Sequence, residues 1–279
     1  MNNRDIIVLY SGGTDSTLTA ALMAERFEKV HLITYERFGI FSATNPVINV
    51  QKLKQKFGDD KFTHRIIRED RLFKYVSYER YLYNLVKYRF FLLSTCGLCK
   101  LSMHIRTIIF CLNNKIFNVC DGAHQDMRLF PDQMISVINE IRKMYAVFGI
   151  EYTNPVFDFE GPKNIDFVDK LHLEKILATE SHDPIKKQST TGYKLFQMGL
   201  MPLENVKGTE LDHKMQPRCF QFILFNIFVL WNYFADHSYE EYEKRTLTFY
   251  KEKIGRFIGL LKEYTQKGRK SILFRLTEE

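Results

Sequence analysis

The sequence predicts a doubly wound α/β fold with a mainly parallel sheet, followed by a helical C-terminal region. Two observations predict this class. In the first half, short apolar runs alternate with helix-length amphipathic segments, and after residue 219 the pattern is helical almost to the end. Strands separated by helices of about 10–20 residues are typical of parallel sheets, since a parallel connection needs a long crossover.

The elements follow from the hydrophobic period of each segment. The apolar run at 6–10 predicts a buried strand, and the glycine-rich turn after it leads into a helix with one apolar face. The predicted strands are 6–10, 30–35, 62–67 and 115–121, and the predicted helices are 16–27, 47–57, 72–93, 102–112 and 239–265. Beyond about residue 152 no clear strand rhythm is visible. A boundary is therefore predicted near residue 150, between an α/β domain (1–150) and a mostly helical region (151–279).

Composition excludes several classes of protein. The chain has 279 residues, 45% of them hydrophobic and 26% charged, which is usual for folded proteins and unlike disordered or collagen-like chains. No signal peptide is recognised at the start, and five cysteines favour free or metal-bound thiols over disulfides. The longest apolar run, 220–234, is interrupted by polar residues and is shorter than the roughly 20 residues of a membrane span. We expect a buried helix there, a cytoplasmic protein and no membrane partner.

The positive charge is concentrated in one stretch. The whole chain carries a net charge of +7, whereas residues 51–106 hold thirteen Lys and Arg against five Asp and Glu. A basic surface attracts a polyanion, so tRNA is a candidate partner. The alternative is an ordinary solvated helix surface.

The strongest signal is the hexapeptide at 11–16, called here the glycine loop: Ser11, Gly12, Gly13, Thr14, Asp15 and Ser16. It lies between a predicted strand and a predicted helix. Two glycines allow a tight turn that presents backbone N–H groups to an anion, and the start of the helix adds its positive dipole end. Serine hydroxyls add donors, and Asp15 is suited to hold Mg²⁺ against phosphate oxygens. The alternative is a chance glycine-rich turn.

This hexapeptide resembles the SGGxDS loop of the PP-loop (N-type) ATP pyrophosphatases. The resemblance implies that ATP is cleaved between its α and β phosphates and that a substrate oxygen is adenylylated. It also implies that residues 11–16 bind ATP, with Asp15 as a catalytic residue holding Mg²⁺.

A second set of residues resembles the three-cysteine tRNA thiolation enzymes within that group. Cys96 and Cys99 form a CxxC motif ahead of a predicted helix and strand, and Gly122, His124 and Asp126 follow that strand. Ala123 and Met127 depart from the family segment. The resemblance implies that Gly122 and His124 contact the nucleotide and that Cys99 and Asp126 are catalytic. It further implies that Cys96, Cys99 and the distant Cys219 hold a [4Fe–4S] cluster that handles sulfur.

Other readings of the cysteines remain open. A Zn²⁺ site takes four ligands, for which His104 is available as the fourth. A CxxC pair can also act in redox chemistry. The zinc-binding nitrile synthase of deazaguanine synthesis, another PP-loop enzyme, clusters its cysteines near the C-terminus, and this chain does not. Cys111 and Cys120 are expected to be buried structural residues.

The predicted function is an ATP-dependent adenylylating enzyme that transfers sulfur to a tRNA base. Its cofactors would be ATP, Mg²⁺ and a cluster or Zn²⁺, and its partners would be tRNA and a sulfur donor, with a homodimer possible. One alternative is a synthetase or amidotransferase that acts on a small metabolite and uses ammonia from a partner. Another is a nucleotide-binding protein without turnover.

Overall fold

The computed structural model describes residues 4–88, 97–160, 190–204, 206, 208–219 and 236–278. In chain order its elements are β1 (Asp5–Leu9), α1 (Thr14–Arg26), β2 (Lys29–Glu36), β3 (Ile40–Phe41), α2 (Val47–Phe57), β4 (Phe62–Arg68), α3 (Asp70–Tyr78), α4 (Tyr81–Tyr88), α5 (Leu98–Asn114), β5 (Asn118–Asp121), α6 (Ile135–Ala146), β6 (Glu151–Thr153), α7 (Thr191–Gln197), α8 (Glu210–Met215), β7 (Arg218–Cys219), α9 (Tyr239–Lys267) and α10 (Ile272–Thr277). Short 3₁₀ turns lie at Asp59–Lys61, Gln125–Met127, Pro131–Gln133 and Gly268–Lys270.

The main sheet has five strands in the order β4-β2-β1-β5-β6, and every neighbouring pair is parallel. Its central strand is apolar on both faces. Ile6 and Val8 pack among residues of α1, α2, α7 and α8, whereas Ile7 and Leu9 pack among residues of α3, α5, α6 and α9. A strand buried on both sides needs a continuous apolar run, which 6–10 supplies. The predicted fold class, a doubly wound α/β fold with a helical C-terminal region, is confirmed.

The strand order places a switch point at the centre of the sheet. From β1 the chain proceeds through β2 to β4 on one side, and it returns to β5 and then β6 on the other. The connections after β1 and β5 therefore leave the sheet in opposite directions. In open α/β sheets this arrangement leaves a crevice at the carboxyl ends of the two strands, where ligands bind.

The single long helix predicted over 72–93 is wrong. The structure has two helices there, α3 and α4, and Arg80 between them adopts a left-handed backbone conformation with φ of 54°. The break is stabilised from α9, because the Lys253 ammonium donates to the carbonyl oxygens of Val76 and Glu79 at the end of α3 (2.9 and 3.4 Å). Carbonyl oxygens at the end of a helix lack the usual helical donors, and here a buried lysine donates to two of them. Residues 89–93 lie outside the described ranges.

Three further differences concern element boundaries. The helix predicted at 102–112 begins earlier, so Cys99 lies inside the first turn of α5, and the strand predicted at 115–121 is shorter. The strand β6 was not predicted, although it lies just beyond the expected boundary near 150 and completes the sheet. The division into 1–150 and 151–279 stays a prediction.

Two helices were predicted in the C-terminal region, and only one of them falls within the described residues. The helix predicted at 239–265 is present as α9. The apolar run 220–234 falls outside the described residues, so its expected helix is untested. Among the helices that the structure describes, none combines the length and the apolar character needed to cross a membrane.

Candidate functional site

The glycine loop lies where expected, between the end of β1 and the first turn of α1. Gly12 has a φ of 80°, a conformation that side-chain-bearing residues rarely adopt, and Gly13 is the N-cap residue of α1. The Ser11 and Ser16 hydroxyls lie 3.0 Å apart, and the Ser16 hydroxyl also donates to the Gly13 carbonyl (3.2 Å). The loop is therefore closed on itself by serine hydroxyls, with the backbone N–H groups of the first helical turn beside it.

The loop is also packed tightly by the rest of the chain. A Cβ atom on Gly12 would lie 2.3 Å from the Met215 carbonyl oxygen and 2.8 Å from the Pro46 Cα atom. A Cβ atom on Gly13 would lie 2.7 Å from Oε1 of Gln216. The Gly12 carbonyl accepts a hydrogen bond from the Asn49 side-chain amide (2.8 Å). Gly12 is thus required by close approach as well as by backbone conformation, whereas Gly13 has an ordinary extended conformation and meets only the end of the Gln216 side chain.

The segment after β5 meets the start of α1. A Cβ atom on Gly122 would lie 2.6 Å from the backbone nitrogen of Ser16, which brings Gly122 against the glycine loop at the switch point. His124 is buried and its backbone N–H donates to Oε1 of Gln133 (2.9 Å), while its Nδ1 accepts from the Asp126 N–H (3.3 Å). The buried Nε2 of His124 has no hydrogen-bond partner among the described residues. The Asp126 side chain is exposed.

A buried ion pair lies at the end of β5, beside the segment just described. The Asp121 carboxylate lies 2.9 Å from the Lys100 ammonium, and it accepts from the Ala123 N–H (3.0 Å) and the Asn154 amide (2.7 Å). Burial acts to raise the pKa of Asp121, but Lys100, His104 and the Ala123 N–H outweigh it and lower the pKa to about 2. Asp132 also faces Lys100, and burial raises its pKa while Lys100 opposes the shift. The Lys100 ammonium thus lies near two carboxyl groups, the buried Asp121 and the partly buried Asp132.

The thiols of Cys99 and Cys219 converge on Arg37, and these three residues are called here the thiol–arginine cluster. Arg37 follows β2, is 2% exposed, and lies over the Phe73 ring with its Cζ 4.2 Å from the ring centroid. Its guanidinium donates to the Cys219 sulfur (3.3 Å). Burial raises the pKa of the Cys99 thiol, and the Arg37 charge opposes that shift. Two of the three predicted cysteines are thus brought together.

Each member of the thiol–arginine cluster is held by its own element. Cys219 belongs to β7, whose antiparallel pairing with β3 sets Ile40 opposite Cys219. Cys99 lies in the first turn of α5, directly after Gly97, whose φ is 86° and whose added Cβ atom would lie 2.7 Å from the Tyr250 hydroxyl. A side chain at position 97 would therefore displace the turn that carries Cys99.

The proposed third thiol, Cys96, lies outside the described residues. Within the described ranges, no group of three or more His, Cys, Asp and Glu side chains is placed to hold a metal ion. His104 does not face the cysteines. Its Nδ1 is 3.0 Å from the Tyr145 hydroxyl and its Nε2 is 4.0 Å from Asp121. Burial lowers the pKa of His104 to about 3, so it is a neutral core residue.

The basic stretch 51–106 is spread over several elements of the fold. Its residues are distributed over α2, β4, α3, α4 and α5, and several are paired with acids. Among the described residues, its ion pairs include Arg68–Asp70 (2.7 Å), Arg80–Glu79 (3.8 Å), Lys87–Glu252 (2.7 Å) and Lys100–Asp121 (2.9 Å). Acidic side chains of the same chain thus neutralise part of the positive charge of this stretch.

Cys111 and Cys120 are both fully buried, on α5 and β5, as the sequence predicted for structural residues. They belong to the two apolar layers on opposite faces of the sheet. Burial raises the pKa of each thiol well above the ordinary value, so neither thiol is ionised near neutral pH.

Sequence reasoning missed four residues that the fold brings to the site: Arg37, Asp132, Thr191 and Gln216. Arg37 had a usable signal, because it directly follows a predicted strand, at the sheet edge where parallel folds place functional groups. Thr191 and Gln216 had none, since they come from the region without strand rhythm. Thr191 donates to the Asp15 carboxylate (2.7 Å), and the Gln216 amide is held by Asp212 (2.6 Å).

Comparisons with known proteins find a similar solved structure but no family. No protein-family model matches this chain, and no curated protein matches it. Among solved structures, it is similar to a predicted subunit of tRNA methyltransferase from Methanocaldococcus jannaschii, with 21% sequence identity and a TM-score of 0.36. That match covers 77% of this chain and 96% of the other. A TM-score this low carries no argument about the function of this chain.

Proposed function

We propose that this protein is a PP-loop ATP pyrophosphatase that adenylylates an oxygen atom of its substrate. The observation that carries the proposal is the glycine loop at the sheet's switch point. Gly12 is in a conformation and a contact that only glycine tolerates, Ser11 and Ser16 flank the turn, and Asp15 lies in the first turn of α1. These are the donors and the carboxylate that a pyrophosphate group and its metal ion require.

The proposed reaction assigns a task to each part of the loop. The substrate oxygen forms a bond to the α-phosphorus of ATP while the bond from that phosphorus to the bridging oxygen breaks, and pyrophosphate leaves. Backbone N–H groups and the hydroxyls of Ser11 and Ser16 would bind the leaving pyrophosphate, since fixed donors stabilise developing charge without reorganisation. Mg²⁺, held by Asp15, would supply further charge neutralisation. The donor set at the loop fits this ion.

We further propose that the activated substrate is a tRNA base and that sulfur then displaces AMP. The thiol–arginine cluster supports this, because Cys99 and Cys219 come from distant parts of the chain and meet at one cation. They would be two of three ligands to a [4Fe–4S] cluster, with Cys96 as the third. Thiolates suit that cluster, which would leave one iron open to sulfur, and they suit Zn²⁺ as well. In this scheme His124 would contact the nucleotide, and Asp126 would be a catalytic residue.

A second candidate is a synthetase or amidotransferase that acts on a small metabolite. The observation in its favour is the pairing of basic residues within 51–106, which leaves less positive charge to face a polyanion. Salt dependence of binding separates the two, because affinity for tRNA falls steeply as phosphate contacts are screened. Tight binding of bulk tRNA with a steep salt slope favours the first candidate. Salt-independent weak binding favours the second.

The test of the ATP chemistry is substitution of Asp15. We expect Asp15→Ala to lower AMP formation about 100-fold or more, because it removes the carboxylate proposed to hold Mg²⁺. The control is Asp60→Ala, which removes an exposed carboxylate from the turn before β4. AMP is measured by chromatography in the presence of bulk tRNA and a sulfide donor. Unchanged AMP formation in Asp15→Ala would refute the assignment of the glycine loop. A third possibility, a nucleotide-binding protein without turnover, predicts ATP binding with no AMP in the wild type.

A further inference from the structure

The helix α7 connects the C-terminal region to the glycine loop. It is docked on α1 by Leu195, which is fully buried in the apolar layer that also contains Leu18 and Ala21. Its start is capped by Thr190, whose hydroxyl accepts from the Tyr193 N–H (3.2 Å). The position of the first residue of α7, Thr191, is therefore fixed from both sides: by the cap and by the packing.

Thr191 is 3% exposed, and its hydroxyl donates a hydrogen bond of 2.7 Å to Oδ1 of Asp15. The donor is β-branched, so its hydroxyl has few accessible directions once the backbone is placed. Among the described residues, no other side chain donates to this carboxylate. A carboxylate that accepts a short hydrogen bond from a fixed group is restrained to one orientation.

We propose that Thr191 is a positioning residue for the Asp15 carboxylate, and that α7 is therefore part of the Mg²⁺–pyrophosphate site although it is 176 residues distant in sequence from Asp15. This inference rests on the proposed function. Mg²⁺ accepts only near-ideal octahedral geometry, so the orientation of a carboxylate ligand matters more for Mg²⁺ than for a larger ion. Partners that orient a metal ligand are themselves important for metal affinity.

Two variants separate a positioning role from a purely structural one. Thr191→Val keeps the branched shape and removes the hydroxyl, whereas Thr191→Ser keeps the hydroxyl and removes the methyl group. If Thr191 serves only to dock α7 on α1, both variants lower the thermal stability of the protein without ATP and leave its response to Mg²⁺ unchanged. If it positions Asp15, only the valine variant alters the response to Mg²⁺.

The experiment measures the rise in thermal unfolding midpoint that ATP produces as the Mg²⁺ concentration is varied, which needs no turnover. For Thr191→Val we expect the half-maximal Mg²⁺ concentration to increase about tenfold or more, as for other residues that orient metal ligands. Thr191→Ser should stay close to the wild type. An unchanged Mg²⁺ response in Thr191→Val, with normal ATP binding by the wild type, overturns this inference alone. Absence of Mg²⁺-dependent ATP binding in the wild type overturns the proposed function and this inference with it.

Discussion

The glycine loop and the thiol–arginine cluster lie at the same edge of the sheet but are built in different ways. The loop consists of six consecutive residues whose geometry is set by local sterics and by the strand and helix on either side. The cluster consists of Arg37, which follows β2, Cys99 from α5 and Cys219 from β7, and long-range packing holds it together. A contiguous site is recognisable in sequence, whereas an assembled one becomes visible only when the chain is folded.

The same difference predicts how each region fails. The loop should be disrupted by substitutions of its own residues and of the few residues that contact its glycines. The cluster should be sensitive to changes in any of the elements that converge on it. The Lys100–Asp121 pair lies between the two, because Lys100 follows Cys99 and Asp121 ends the strand beside the loop.

The largest loss of unfolding free energy is expected when the Lys100–Asp121 pair is broken. Lys100→Met leaves the Asp121 carboxylate buried without its cation, which costs about 3–5 kcal/mol of unfolding free energy in comparable sites. The control is Lys143→Met, since the Lys143 side chain is exposed and its pair with Glu140 contributes at most about 1 kcal/mol. Urea unfolding measures both. Equal, small losses in the two variants would show that the Asp121 carboxylate does not depend on Lys100 for its stability.

The pair also sets an acid dependence. The pKa of Asp121 is lowered from 3.8 to about 2, so its contribution to stability is complete above pH 3.8 and is lost as the pH falls toward 2. In Lys100→Met the carboxyl keeps its burial but loses its cation, so its pKa rises. A folded-state pKa closer to the unfolded value makes the stability lost on acidification smaller than in the wild type, and a pKa above 3.8 reverses its sign.

The next largest effect is expected on Mg·ATP binding, from a substitution in the glycine loop. Gly12→Ala combines a strained φ of 80° with a contact of 2.3 Å to a backbone oxygen. Strain of about 1–3 kcal/mol and displacement of the loop should weaken Mg·ATP binding about 100-fold. Gly259→Ala is the control, because a Cβ atom on this α9 glycine meets nothing within 4 Å. Calorimetry measures binding in both. Wild-type affinity in Gly12→Ala would mean that the loop does not hold the phosphates.

Gly97→Ala is the corresponding substitution beside the thiol–arginine cluster. It has a φ of 86°, and its Cβ atom would lie 2.7 Å from the Tyr250 hydroxyl, so the first turn of α5 should move. We expect the rate of Cys99 alkylation to change while Mg·ATP affinity stays at the wild-type value. Loss of nucleotide binding in this variant would contradict the independence of the two regions.

The smallest effect on stability is expected at Cys219. Its side chain is partly exposed, so Cys219→Ala should change the unfolding free energy by less than about 1 kcal/mol. Metal content should nevertheless fall, since one of three proposed ligands is lost. Iron, zinc and acid-labile sulfide are measured on protein purified without oxygen, with Asp15→Ala as the variant that should retain the metal. Full retention in Cys219→Ala would remove this thiol from the site, and a wild type without metal would contradict the metal centre.

Much of the fold was predictable because its signals are local. The buried strand at 6–10, the glycine loop and the helix at 47–57 depend on period and turn chemistry, and each lies where it was expected. The break between α3 and α4 was not predictable, because Lys253 on α9 stabilises it from the far end of the chain. Partner residues of the site were missed for the same reason. Thr191 and Gln216 carry no motif, and only packing brings them to the loop.

The most direct test of the central claim is which bond of ATP is broken. Phosphorus NMR of the wild-type protein with Mg·ATP, bulk tRNA and a sulfide donor distinguishes the products without labels. We predict AMP and pyrophosphate, absent from a parallel sample of Asp15→Ala. ADP and inorganic phosphate as products, or a nucleotide spectrum that the wild type leaves unchanged, would contradict the assignment of the glycine loop to ATP pyrophosphatase chemistry.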